Sequence, residues 1–74
     1  MKIALYGMLA DAARTNSMEL DAQDTEHLRG AVLERFPEFS KFTFVISVNR
    51  KVVHENRALQ AEDEIALLPP FAGG

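Results

Sequence analysis

The sequence predicts an α+β domain of two layers, a mixed β-sheet covered on one face by one main helix. Three observations carry the prediction. Apolar and polar residues alternate with period two in several short stretches, most strictly in FTFVISV at residues 42–48. One segment, TEHLRGAVLERF at 25–36, instead repeats its apolar residues at steps of three and four. The chain is 74 residues long, enough for a single small core. A single helical stripe covers a single sheet face, so the opposite face is left over.

Each element has its own signal. KIALYGML, residues 2–9, puts Ile3 and Leu5 on one side and Ala4 and Tyr6 on the other, the alternation of an opening strand. Gly7 weakens that strand and marks a bulge or a close approach by another part of the chain. ADAARTN is small and polar and reads as a connection. SMELDA then returns as a hairpin partner, Met18 and Leu20 alternating with Glu19 and Asp21. Asp24 or Thr25 is placed to accept from the free N–H groups of a starting helix, and Glu26 suits the positive end of its dipole. Leu28, Ala31, Val32 and Phe36 form the buried stripe, and Pro37 ends it by pushing Phe36 out of the helical region.

After the loop PEFSK, Phe42, Phe44, Ile46 and Val48 alternate with Thr43, Val45 and Ser47, the clearest strand of the chain. Asn49 tolerates a left-handed backbone, so NRK is a tight turn into a short strand, KVVH. The polar stretch HENRALQAEDE has Leu59 as its anchor into the core. EIALL, residues 64–68, is the last strand, halted by Pro69 and Pro70, which have no N–H to give to a ladder. The predicted order is strand, strand, helix, strand, short strand, strand, in one domain spanning 1–74 with 69–74 as its tail.

Composition narrows the function. At 47% hydrophobic residues the chain is too apolar for disorder. It has no cysteine, so no disulfide, thiolate metal site or thiol nucleophile is available. A net charge of −3 is the wrong sign for a phosphate backbone, and nucleic acid is not an expected partner. No apolar run approaches the roughly 20 residues of a membrane span and no leader-like segment precedes the first strand, so no membrane is expected and the cytoplasm is the expected compartment.

Alternation also sorts the sheet's two faces. With Ile3, Leu5, Phe44, Ile46, Ile65 and Leu67 toward the helix, Ala4, Tyr6, Val45, Ala66 and Leu68 point away from it. That second set, continued by Phe71, forms a binding surface if it is exposed. Chemistry of the usual kind is absent. His27 and His54 lie far apart with no third ligand, so no metal site is expected. Glu62, Asp63 and Glu64 read as a solvated turn, with steering of a basic partner as a secondary use.

What remains is the ending LPPFAGG. Gly73 and Gly74 have no Cβ and can thread a channel too narrow for a side chain. A free α-carboxylate on Gly74 is ionised at neutral pH and can attack the α-phosphate of ATP, after which a sulfur donor displaces AMP and leaves a thiocarboxylate. Pro69 and Pro70 stiffen the arm and lower the entropy lost when it is gripped, and Phe71 serves as an anchor.

On these residues the chain resembles the ubiquitin-like sulfur carriers, most closely the small subunit of molybdopterin synthase. The likeness covers the whole chain: KIALYG, the helix TEHLRGAVLERF, the VNRKVV hairpin, DEIALLPP and above all PPFAGG. Thiamine-pathway carriers share the Gly-Gly end, usually without the double proline. The resemblance implies a β-grasp fold and no permanently bound cofactor. It implies an E1-like adenylating enzyme that uses ATP, a sulfurtransferase system, and a large synthase subunit where the tail delivers sulfur to the pyranopterin precursor. Carried over, Gly74 bears the sulfur, Gly73 and Ala72 line the channel, and Phe71, Pro70 and Pro69 seat the tail. Tyr6 and Leu68 match apolar, partner-facing positions. There is one departure: where family members often carry Arg-Glu shortly after the first strand, this chain has Ala10 and Asp11, with Arg14 nearby but out of register.

Three rival readings use the same features. A sulfur carrier of another, thiamine-like pathway would hand the same thiocarboxylate to a different acceptor. A ubiquitin-related modifier would join the activated carboxylate to lysines of its targets. A plain binding module would carry the tail incidentally.

Overall fold

The computed structural model describes residues 1–70. Five strands, β1 (Lys2–Leu5), β2 (Ser17–Glu19), β3 (Val45–Val48), β4 (Lys51–Val53) and β5 (Ile65–Leu68), form one sheet in the order β2-β1-β5-β3-β4. The first and last strands run parallel side by side at its centre, and all other pairings are antiparallel. The long helix α2 (Thr25–Arg35) supplies the cover on one face. This is the two-layer arrangement that the periodicities predict.

Register explains the core. Ile3 pairs with Ile65 and Leu5 with Leu67 across the parallel ladder, and Leu67 and Ile65 pair in turn with Ile46 and Val48. All six side chains are buried, together with Leu28, Val32 and Phe36 of the helical stripe. Ala31 is only half-buried, at the flank of that stripe. The six inward residues expected from alternation are all in the core.

The helix start is fixed as its capping residues suggest. Asp24 is the N-cap, its carboxylate accepting from the His27 N–H at 2.8 Å. Thr25 is buried and exchanges two bonds with Arg57: its N–H donates to the Arg57 carbonyl at 2.9 Å, and its hydroxyl accepts from the Arg57 N–H at 3.0 Å. The Leu59 N–H donates to the Gln23 carbonyl at 2.9 Å, and the Leu59 side chain is buried as expected. The polar stretch after β4 is thus bound to the helix start.

Four elements depart from expectation by more than one residue. The opening strand stops at Leu5 instead of continuing to residue 9, because Gly7 takes φ 59° and turns the chain into a short helix, α1 (Met8–Ala13). There Leu9 enters the core and three alanines, good helix formers, complete the turn. The segment read as a loop at PEFSK is a 3₁₀ helix (Pro37–Lys41), which carries Phe39 into the core stacked on Phe36 at 4.9 Å. The third strand begins at Val45, since Phe42 gives its N–H to Phe39 and not to a neighbouring strand. Finally, the returning strand is Ser17–Glu19 only.

Candidate functional site at the open sheet face

The site is built around β5, the central strand. Inward-facing Ile65 and Leu67 leave Ala66 and Leu68 on the open face, and the ladder sets each beside a partner of the same orientation. Ala66 pairs with Ala4 on one side and Ser47 on the other, and Leu68 pairs with Val45. Past the end of β1 the Tyr6 N–H donates to the Leu67 carbonyl at 3.3 Å, which brings the Tyr6 side chain alongside Leu68. Small residues form a floor and larger apolar ones a wall. The result is a hollow of about 350 Å³, walled at one end by Tyr6 and Leu68 and at the other by Arg50 and Glu64.

The wall is exposed as a binding surface requires. Tyr6 and Met8 are each 51% exposed and Val52, on the neighbouring edge strand, 45%. Large apolar side chains left in water beside a floor of small residues mark a contact surface. Ala4, Val45, Ala66 and Leu68 are half-buried around them.

Where β5 ends, Pro69 is half-buried against Gly7 and Pro70 is exposed. Tyr6, Leu68 and Pro69, three of the partner-facing residues inferred from sequence, therefore lie together at the start of the tail, with Pro70 following. Phe71, Ala72, Gly73 and Gly74 lie outside the described residues.

The other candidates are elsewhere. His27 Nδ1 sits 2.7 Å from Asp24 Oδ1 at the helix start, and His54 is exposed after β4. Among the described residues no three His, Asp or Glu side chains converge as a metal site. Asp63 is more than part of a solvated run. It accepts from the Gln60 N–H at 2.7 Å and the Asn49 amide at 3.0 Å, and these bonds hold its carboxyl below the usual range. A wider hollow of about 720 Å³ opens beside residues 53–58. It flanks the edge strand, two strands from the tail, in a segment already engaged with the helix start.

Sequence reasoning missed Met8, Ser47, Arg50 and Glu64. Met8 was masked by the overlong strand. Ser47 shares its period-two face with Val45, a signal strong enough to have placed it. Arg50 and Glu64 come from a turn and a strand boundary, where periodicity carries no face information.

Comparison with known proteins fits this architecture. A model of the ThiS family matches residues 3–74. The small archaeal modifier protein 1 of Methanosarcina acetivorans superposes with a TM-score of 0.81 at 22% identity, over 99% of this chain and 94% of that one. SAMP1 from Haloferax volcanii gives 0.78 at 23% identity, over 99% and 97%. At those identities the likeness is one of fold, and it makes the five-stranded sheet with its main helix a β-grasp, or ubiquitin-like, domain. The complex of subunits 1 and 2 of molybdopterin-converting factor from Helicobacter pylori 26695 contains a chain with a TM-score of 0.70 at 25% identity, over 99% and 96%. With the family match unbroken from the first strand through the Gly-Gly ending, the chain belongs to the ThiS family.

Proposed function

We propose that the chain is a sulfur carrier of molybdenum cofactor biosynthesis, the small subunit of a molybdopterin synthase, with no active site of its own. The observation that supports this best is the placement of β5. The sheet's central strand runs straight into the Pro-Pro arm, with exposed Tyr6 and half-buried Leu68 beside its exit. A rigid body thus presents both a docking face and the tail. Family membership and the similar subunit of molybdopterin-converting factor support the same reading.

In this reading the Gly74 carboxylate attacks the α-phosphate of ATP on an E1-like enzyme, forming an acyl-adenylate and releasing pyrophosphate. A hydrosulfide equivalent from a sulfurtransferase then displaces AMP and leaves a thiocarboxylate. Gly73 and Ala72 thread the channel of the large subunit, while Phe71, Pro70, Pro69, Leu68 and Tyr6 seat the arm. Sulfur passes there to the pyranopterin precursor. The work belongs in the cytoplasm, with ATP consumed by the partner and no cofactor held by the carrier.

A second reading draws on the archaeal modifier proteins: the same activated carboxylate would acylate lysines of target proteins. Intact mass after incubation with ATP, an activating enzyme and a sulfur donor tests the first reading. Exchange of one oxygen for sulfur at Gly74, followed by its consumption with a large subunit, is the expected result. No exchange with an enzyme active on a control carrier, together with isopeptide conjugates in cells, would move the assignment to a modifier.

A further inference from the structure

We propose that Arg50 is a specificity contact of the open face, a guanidinium held at the rim of the hollow to receive a carboxylate of the docking protein. The inference rests on Tyr6 and Leu68 being partner-facing, and deepens that reading by naming the partner's chemistry.

The backbone gives the first reason. Asn49 and Arg50, the central residues of the β3–β4 turn, have φ 53° and 70°. A two-residue hairpin turn with both φ values positive favours Asn followed by Gly, because a side chain at the second position is strained. Asn49 fits the rule and Arg50 breaks it. The fold does not repay the strain through Arg50's own contacts. Its one ion pair among the described residues joins Nε to Glu64 Oε1 at 3.3 Å, with both side chains mostly exposed, a kind of pair that contributes little in water. The turn is held by Asn49 instead: its N–H donates to the Glu64 carbonyl at 2.7 Å, and its side-chain oxygen accepts from the Glu64 N–H at 2.9 Å. A strained residue that the fold does not need points to a role outside the fold.

Position gives the second reason. Arg50 and Glu64 wall the same hollow as Tyr6 and Leu68. Glu64 engages Nε alone, which orients the guanidinium and leaves the two terminal amino groups without a partner among the described residues. Those groups form the fork that meets a carboxylate with two parallel bonds. The floor of Ala4, Ala66 and Ser47 has room for an apolar side chain. The surface therefore fits a protein that presents an apolar side chain close to an Asp or Glu. Docking removes water from the contact, which strengthens the bonds of a carboxylate that meets the two terminal amino groups.

The test titrates the full chain, Arg50→Gly, Arg50→Glu and Tyr6→Asp against the purified large subunit of molybdopterin synthase from the same cell, at low and high salt, with urea unfolding of each. Arg50→Gly should fold at least as stably as the parent yet bind about tenfold more weakly and with a shallower salt dependence. Arg50→Glu should bind more weakly still. Parent-like affinity and salt dependence in Arg50→Gly, while Tyr6→Asp loses binding, would overturn the Arg50 contact alone. A drop in stability large enough to account for the weaker binding would also overturn it, by placing Arg50 in the fold. No binding by the parent chain would overturn the carrier reading and the Arg50 contact with it.

Discussion

Pro69 packs over Gly7 so closely that a Cβ built on the glycine would stand 3.0 Å from the proline Cγ. Gly7 also holds φ 59°, a conformation that L side chains rarely adopt. The residue that turns the chain out of its first strand is therefore fitted to the residue that leads the chain out of its last. Gly7→Ala should lower stability by roughly 1–3 kcal/mol through the backbone angle, with more from displacement of the ring. Urea unfolding checks the sum, and the double variant Gly7→Ala/Pro69→Ala should recover only the contact part. Parent stability in Gly7→Ala would refute the geometry.

Adjacent leucines should behave oppositely. Leu67 is fully buried between Leu5 and Ile46, and Leu67→Ala should cost about 2–5 kcal/mol. A domain of this size rarely has more than about 3–5 kcal/mol to lose, so circular dichroism at 37 °C should show much of that variant unfolded. Leu68→Asp faces the solvent side, and should keep the native spectrum while abolishing association with the large subunit, because docking would bury an unpaired charge.

Stability should fall at both ends of the pH scale. Asp24 is held below the ordinary carboxylate range by the His27 N–H first and the His27 ring second, and Asp63 by the Gln60 N–H first and the Asn49 amide second. A folded pKa below the unfolded one stabilises fully above the unfolded value of about 3.9 and is lost as pH falls through the folded values. The Met1 ammonium is raised above 8.0, chiefly by its hydrogen bond to Asp21. Its contribution is complete below 8.0 and is lost as pH rises through the raised value. Asp63→Asn should flatten the acid limb of a stability profile and N-terminal acetylation the alkaline limb.

Removing Gly74 should separate fold from function. The urea midpoint should be unchanged, since among the described residues the last buried core member is Leu67, while the sulfur-dependent mass gain disappears. A mass gain that persists in this variant would place the chemistry elsewhere.

The layers were legible because alternation and the helical stripe are long-range averages. Every inward residue inferred from β1, β3 and β5 is buried, and so are Leu28, Val32, Phe36 and Leu59. The short elements were not legible. Leu9 follows Met8 as it would in a strand, and only the positive φ of Gly7 converts the same letters into α1. Phe39 fills the core from a 3₁₀ turn whose five residues are too few to show a period. At the site, Tyr6 and Leu68 could be placed because they lie in register with known strands, whereas Arg50 depends on a turn angle that its sequence neighbours do not specify.

The central position of β5 bears on how this protein is made. Residues 65–68 leave the ribosome after every other strand and helix described, and they supply the middle of the sheet, bonded to β1 and β3 at once. Until they emerge, β1 with β2 and β3 with β4 are two hairpins with no strand between them. A nascent or truncated product lacking β5 cannot close its core and is open to proteolysis. Closure of the core and presentation of the arm become one event, so any copy folded well enough to meet a partner already contains the strand that carries the arm.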